Sequence, residues 1–180
     1  PYTKLGQKTR NWGVGLPIIS HESGQRCIYP NFEEIKNFTG PVQARNFEIF
    51  RELLDKNHML DQAHDFFRAS GALTAIEYKD VIEAQLRTYL KGGFQLLSLN
   101  DFTGQGYAPV GILDPFWNTK GLITPEKWRE FCAPTVALLR FDKRALYNDE
   151  VFEGKAEIYN YGPTLLKNAK NQLEYHRQQR

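Results

Sequence analysis

The sequence is poor in the residues that mark several large classes of protein. Its 180 residues include one methionine, four histidines and two cysteines, Cys27 and Cys132. The cysteines lie too far apart for metal-ligand spacing, so they predict two buried thiols or one disulfide. His58 and His64 are six residues apart, which suits a single metal ion poorly. We therefore expect no metal centre and no cofactor.

Long apolar runs and a strong charge of one sign are also lacking. No run approaches the ~20 apolar residues of a membrane-spanning helix. The formal net charge is +2, and the last fourteen residues, with four Lys or Arg and one Glu, have a net charge of +3 by themselves. The remainder is near −1, so the sequence lacks the basic face of a nucleic-acid binder. A hydrophobic content of 41% with 24% charged residues indicates a globular protein.

The first residues, PYTKLGQKTRNWG, lack the apolar segment of a signal peptide and an initiator methionine. We expect them to belong to a longer polypeptide, in which any targeting signal would precede residue 1. A periplasmic or secreted location of that polypeptide is one option, and the sequence leaves the location unknown.

Two apolar segments of strand length frame the first half of the chain. The segment Trp12–Ser20 (WGVGLPIIS) and the segment Phe94–Phe102 (FQLLSLNDF) are apolar almost throughout, as strands buried on both faces tend to be. The residues between them are mostly helical in pattern. A strand, a helical crossover and a second strand predict two parallel strands side by side, and hence an α/β fold.

The helical connection contains four predicted helices. Asn31 is a plausible cap for a short helix, and Phe47, Phe50 and Leu54 share one face of the next. A helix with Leu60, Ala63 and Phe67 on one face follows and is expected to stop at Gly71. A longer helix then runs to Gly92-Gly93.

The second half begins with a Gly/Pro-rich loop, residues 103–122. Thr124 and Pro125 open a short helix that ends before Pro134. From Phe152 apolar and polar residues alternate, which predicts a half-exposed antiparallel strand after an Asn-Asp turn. We place a domain boundary near Phe141-Asp142, which divides the chain into residues 1–141 and 142–180.

Polar residues follow both predicted parallel strands. His21 and Glu22 end the first, and Asn100 and Asp101 end the second. In parallel β/α folds, ligands bind where the carboxyl ends of the strands meet. Aromatic residues of the following loop, Trp117 among them, could stack on a sugar ring, or could pack the loop onto the rest of the fold.

These residues resemble a known family. SHESGQRCIYPNFEEIKNFTGPVQARNFEIFRELL and GGFQLLSLNDFTGQGYAPVGILDPFWNTKGLITPEKWREFCAPTVALLR are similar to the last part of the catalytic TIM barrel of family 2 glycoside hydrolases, the β-galactosidase-like enzymes. The likeness covers roughly residues 12–140. FEGKAEIYNYGP resembles the start of the Ig-like β-sandwich domain that follows this barrel.

The resemblance implies a fold and a set of roles. The fold would be a partial (β/α)8 barrel, its seventh and eighth strands with inserted helices. Glu22 would be the nucleophile of a retaining glycosidase, while His21, Asn100, Asp101 and Trp117 would bind a carbohydrate substrate. The resemblance does not specify which sugar is cleaved, and a galactoside is the first substrate to consider.

The resemblance also implies that much of the enzyme lies elsewhere. Strands one to six and the acid/base glutamate would be outside this sequence, so the chain alone is expected to be inactive and to expose sheet edges and apolar helix faces. Two alternatives remain: one chain of a barrel completed by a partner chain, and a non-catalytic helical interaction module.

Overall fold

The computed structural model describes residues 16–88, 91–104 and 107–170, which form a mixed α/β fold with two two-stranded sheets. In chain order the elements are β1 (Ile18–Ser23), a 3-10 helix (Phe32–Asn37), α1 (Arg45–Lys56), a second 3-10 helix (Leu60–Gln62), α2 (Ala63–Leu86), β2 (Lys91–Leu96), α3 (Pro125–Arg129), β3 (Thr135–Phe141) and β4 (Gly154–Asn160). These residues contain no closed barrel. None of their helices is both long and apolar enough to cross a bilayer.

The predicted parallel pair is confirmed, with shifted bounds. β1 and β2 pair in parallel, from Ile18 beside Lys91 to Ser23 beside Leu96. The first strand was predicted at Trp12–Ser20. It runs on through Glu22, and residues 12–15 lie outside the described ranges. The second was predicted at Phe94–Phe102, but it ends at Leu96 because Asn100 and Phe102 make isolated bridges with Leu113 and Ala108 instead.

Two of the predicted helices between the strands form as expected. Asn31 caps the first 3-10 helix, its side-chain oxygen accepting a hydrogen bond from the Glu33 backbone at 3.2 Å. In α1, Phe47 is fully buried against Ala44 and Tyr107. Phe50 and Leu53 are about half exposed, so the apolar face of α1 is only partly covered.

Gly71 does not stop a helix, contrary to the prediction. α2 runs through Gly71 without a break and is 24 residues long in all. A Cβ on Gly71 would lie 2.3 Å from Leu122 Cδ2, so the missing side chain admits Leu122 against the helix. This packing outweighs the ~1 kcal/mol by which glycine disfavours a helix. The helix also ends earlier than predicted, at Leu86, and Gly92-Gly93 belong to β2.

The main core lies between α2 and the second sheet. Tyr78, Ile82 and Leu86 of α2 pack against Phe131 and Val136. Phe131 follows α3, whose predicted cap is confirmed: Thr124 Oγ1 accepts a hydrogen bond from the Lys127 backbone at 3.3 Å.

The predicted antiparallel strand is β4, and its partner is β3. The pair runs in register from Thr135–Asn160 to Phe141–Gly154, and Arg140 binds Glu157 at 3.0 Å. The Asn-Asp pair lies in a turn closed by the Glu150 backbone donating to Tyr147. β3 ends at the predicted domain boundary near Phe141-Asp142, and β4 lies after it. This sheet is therefore formed by strands from both predicted domains, residues 1–141 and 142–180. The boundary itself stays a prediction.

The two cysteines are separate free thiols. Cys27 is exposed and Cys132 is half-buried. The alternative of a disulfide is therefore wrong for this structure, and the expectation of a buried thiol is wrong for Cys27. Its loop follows β1 at the surface, where a small thiol needs no cover.

Candidate functional site

Glu22 occupies an irregular position at the end of β1. Between the pairs Ser20–Phe94 and Ser23–Leu96, β1 has one residue more than β2, so His21 and Glu22 form a bulge. Glu22 has a φ of 55°, in the left-handed region that non-glycine residues rarely adopt. Its side chain is 52% exposed. Bulges and left-handed residues both occur preferentially next to functional sites, where they redirect a side chain.

The residues after Glu22 anchor this bulge to α2. Ser23 Oγ accepts a hydrogen bond from Gln85 Nε2 at 2.9 Å. Gly24, with a φ of 83°, lies directly on the ring of Tyr78, and a Cβ there would come within 1.9 Å of the ring. The Tyr78 hydroxyl donates to the Val110 carbonyl at 2.8 Å, and burial raises its pKa to about 12. Glu22, the residue with left-handed geometry, is therefore followed directly by Ser23 and Gly24, which both contact side chains of α2.

His21 stands beside Glu22 on the exposed side of the sheet. Its Nδ1 is 2.9 Å from Gln95 Oε1 on β2, and its Nε2 is 3.9 Å from Glu22 Oε1. The imidazole thus lies between Gln95 of β2 and the Glu22 carboxylate of β1. It can orient Glu22 or bind a hydroxyl group brought to the same edge.

The chain after β2 continues along the end of β1. The Leu97 backbone donates to Ser23 at 3.1 Å, and Asn100 then bridges to Leu113. The Asn100 side chain accepts from Ser98 Oγ at 2.9 Å. Asn100 is half-buried, so its amide is only partly available to a ligand.

Asp101 is the most enclosed of the predicted site residues, with 1% of its surface exposed. Lys120 Nζ lies 2.7 Å from Oδ1 and 2.6 Å from Oδ2. The Gly111 backbone also donates to Oδ1, and the Tyr107 hydroxyl lies 2.8 Å from Oδ2. Burial raises the pKa of Asp101, and Lys120 opposes that shift. These contacts hold the loop after β2 closed on itself.

Glu34 joins this cluster, and the sequence analysis missed it. It lies in the 3-10 helix Phe32–Asn37, is 5% exposed, and its Oε2 contacts the Tyr107 hydroxyl. Burial raises the pKa of Glu34 and also that of Tyr107. Glu33, Glu34 and Lys36 are charged residues of one short helix, a pattern typical of a solvated surface, so no local signal distinguished Glu34.

Trp117 projects from a turn that Asp114 organises. Asp114 is buried, and its Oδ1 accepts from the backbones of Phe116 and Asn118, each at 2.8 Å. Trp117 itself has a φ of 68° and is 64% exposed. Phe116 packs edge-on against Phe38 at 5.0 Å. A large ring is therefore presented to solvent on a fixed backbone.

The predicted residues fall into two groups. His21 and Glu22 meet at the bulge, while Asn100 and Asp101 belong with Trp117 to the loop after β2. Across residues 16–88, 91–104 and 107–170, no hydrogen bond or ion pair joins the two groups directly. The link between them is indirect. The Leu97 backbone donates to Ser23, and Tyr78 of α2, which contacts Gly24, donates to the Val110 carbonyl. The same ranges hold no cluster of three or more His, Cys, Asp or Glu that could bind a metal ion.

Comparisons with protein families and with curated proteins find no match for this sequence.

Proposed function

We propose that the chain is the C-terminal part of the barrel of a retaining glycoside hydrolase, similar to family 2, with β1 and β2 as barrel strands seven and eight. The parallel pairing of β1 with β2 across a helical crossover supports this assignment. So does the position of Glu22 at the carboxyl end of β1 and of Asn100 beyond the carboxyl end of β2, the side on which barrel enzymes carry their active sites.

Glu22 is the nucleophile in this proposal. An exposed carboxylate in a bulged, left-handed position is the observation that carries the assignment. One oxygen of Glu22 attacks the anomeric carbon as the bond to the leaving oxygen breaks, and a covalent glycosyl ester forms. Water then attacks the same carbon, releasing the sugar and Glu22. The proton donor is a carboxylic acid supplied from outside these 180 residues.

The other predicted residues have different parts in the proposal. His21 orients Glu22 or binds a sugar hydroxyl, and Trp117 stacks on the apolar face of a sugar ring. Asn100 is a hydrogen-bonding group of the pocket. Asp101 acts as a positioning residue, because Lys120, Gly111 and Tyr107 already occupy its oxygens.

The remaining barrel strands are the proposed partner, whether they come from the same polypeptide or from another chain. The uncovered apolar side chains Ile49, Phe50 and Leu53 of α1 suit such a partner. They also fit the alternative of a non-catalytic interaction module, which would use this helix face and leave Glu22 without a chemical role.

The test uses the chain completed by a polypeptide that supplies strands one to six of a family 2 barrel. Dinitrophenyl glycosides are suitable substrates because their leaving group departs without a proton donor. We expect hydrolysis by the wild type and by Glu33→Gln, a matched charge change on an exposed glutamate. Glu22→Gln should abolish it.

Azide provides the decisive control. With Glu22→Gly, azide should replace the carboxylate and give a glycosyl azide of the opposite anomeric configuration. Hydrolysis by Glu22→Gln at the wild-type rate would refute the nucleophile assignment. Binding of partner proteins through α1, with no glycosidase activity in the completed barrel, would favour the interaction module.

A further inference from the structure

The Tyr107 hydroxyl lies between two buried carboxyl groups. Asp101 Oδ2 is 2.8 Å from it, and Glu34 Oε2 also contacts it. A phenol has one hydrogen to donate. If both carboxyl groups were ionised, Tyr107 could satisfy only one of them, and the other would face an oxygen lone pair in a dry environment.

The charges around the cluster indicate which carboxyl group is ionised. Asp101 contacts the ammonium group of Lys120 and accepts from the Gly111 backbone, so its negative charge is compensated. The Glu34 side chain, by contrast, contacts the Tyr107 hydroxyl through Oε2. Burial raises the pKa of Glu34, the hydrogen bond with Tyr107 and the charge of Lys120 oppose that shift, and the charges of Asp101 and Asp114 add to it.

We propose that Glu34 is a protonated carboxylic acid in the folded protein, that it donates its hydrogen to Tyr107, and that Tyr107 donates in turn to Asp101. In this chain of hydrogen bonds Glu34 Oε2, the Tyr107 hydroxyl and Asp101 Oδ2 each have a partner. The cluster then contains one negative charge, on Asp101, and one positive charge, on Lys120. When Glu34 ionises, its proton passes to solvent and Tyr107 is left between two carboxylates.

This proton joins the two loops that follow β1 and β2. Glu34 belongs to the 3-10 helix after β1, whereas Tyr107 and Asp101 belong to the segment after β2. Around it, Phe38 packs on Tyr107 at 5.3 Å and on Phe116 at 5.0 Å. Ionisation of Glu34 therefore weakens the support of the Asp114 turn that presents Trp117.

The dependence on pH follows from the direction of the shift. Burial raises the pKa of Glu34, so the folded state binds this proton more tightly than the unfolded chain does. The stabilisation is complete below the usual glutamate pKa of about 4.3. It declines as the pH rises from there to the raised pKa of the folded state, and above that pKa it is lost.

The test is carbon-13 NMR of the chain labelled at its glutamate carboxyl groups. We expect one carboxyl resonance to titrate at higher pH than the rest. It should be absent from Glu34→Gln and present in Glu33→Gln, the matched control on the same 3-10 helix. Glu33 is exposed and pairs with Lys36, so its replacement leaves the cluster intact.

Urea unfolding across the same pH range gives the energetic readout. The amide of Glu34→Gln can donate to Tyr107 and does not titrate. As the pH rises from below the usual glutamate pKa to above the raised pKa, the wild type loses stability and this variant does not. Over that range the folding equilibrium constant of Glu34→Gln, divided by that of the wild type, should increase about tenfold for each unit by which the Glu34 pKa is raised. Glu33→Gln should not show this trend.

Two results would overturn the proposal. One is a Glu34 resonance that titrates together with the exposed glutamates. The other is a Glu34→Gln variant whose destabilisation relative to the wild type is the same at every pH, which would mean that folding does not change the affinity of Glu34 for its proton. If Glu34→Gln does not fold, Tyr107→Phe assigns the resonance, because it keeps the ring and perturbs its nearest carboxyl group. None of these readouts depends on glycosidase activity.

Discussion

One carboxylate, Glu22, lies at the end of β1 and another, Asp101, lies in the loop after β2, and the two have opposite environments. Glu22 is half exposed and has left-handed backbone geometry, and its Oε1 lies 3.9 Å from Nε2 of the His21 imidazole. Asp101 is buried and contacts Lys120, Gly111 and Tyr107. A carboxylate whose oxygens are all occupied stabilises a loop. One held in a strained, open position remains available to a ligand, which favours Glu22 as the reactive group.

The largest expected effect is at the Asp101 cluster. Lys120→Met should reduce the free energy of unfolding by about 3–5 kcal/mol, because it leaves a buried carboxylate without its cation. Urea denaturation at neutral pH measures this. Lys127→Met, which removes an exposed pair with Glu130, should cost less than about 1 kcal/mol. Equal effects from the two variants would show that Asp101 is not the buried, paired group described above.

The next largest effect is at Gly24, beside the strained end of β1. Gly24→Ala should cost about 2–3 kcal/mol, since it adds a methyl group against the Tyr78 ring at a left-handed residue. Gly40→Ala is the matched control, because no atom lies within 4 Å of a Cβ there. Thermal unfolding of both variants is sufficient. A Gly24→Ala variant as stable as Gly40→Ala would contradict the close contact with α2.

A smaller effect is expected at the turn that presents Trp117. Asp114→Ala removes the acceptor for the Phe116 and Asn118 backbones and should cost about 1–2 kcal/mol. Asp114→Asn keeps an acceptor oxygen and should recover most of this loss. Hydrogen exchange of the Phe116 and Asn118 amides, combined with urea unfolding, distinguishes loosening of the turn from global unfolding. Unchanged exchange in Asp114→Ala would mean that the turn forms without the carboxylate.

The smallest effect has the opposite sign. Glu22→Gly should stabilise the chain by about 0.5–1 kcal/mol. Glycine removes the energetic cost of the left-handed conformation, and part of that gain is cancelled because glycine makes the unfolded state more flexible. Glu22→Gln keeps the side-chain length and should leave stability within about 0.5 kcal/mol. Differential scanning calorimetry resolves the pair. Destabilisation by Glu22→Gly would indicate that Glu22 supports the fold rather than being held under strain by it.

Sequence reasoning predicted the features that depend on near neighbours. The caps at Asn31 and Thr124, the buried face of α1 at Phe47 and the parallel pairing of β1 with β2 all follow from local patterns and chain order. The positions of His21 and Glu22 at the end of a strand were predicted in the same way.

The features that were missed depend on residues far along the chain. Gly71 is compatible with α2 because Leu122 packs against it, and Glu34 is buried because Tyr107 covers it. The bulge at Glu22 arises from the register with β2, some 70 residues later. No pattern within one helix or strand contains this information. Whether Asn100, Asp101 and Trp117 bind a sugar stays a prediction.

The contact between Gly71 and Leu122 also constrains how this sequence can evolve. Alanine at position 71 would favour the helix by about 1 kcal/mol, but its methyl group would collide with Leu122. Shortening Leu122 first would leave a cavity, which is itself destabilising. Each of these two replacements alone is therefore expected to lower stability. Made together, they avoid both the collision and the cavity. Glycine should persist at position 71 in descendants of this sequence for as long as leucine persists at position 122.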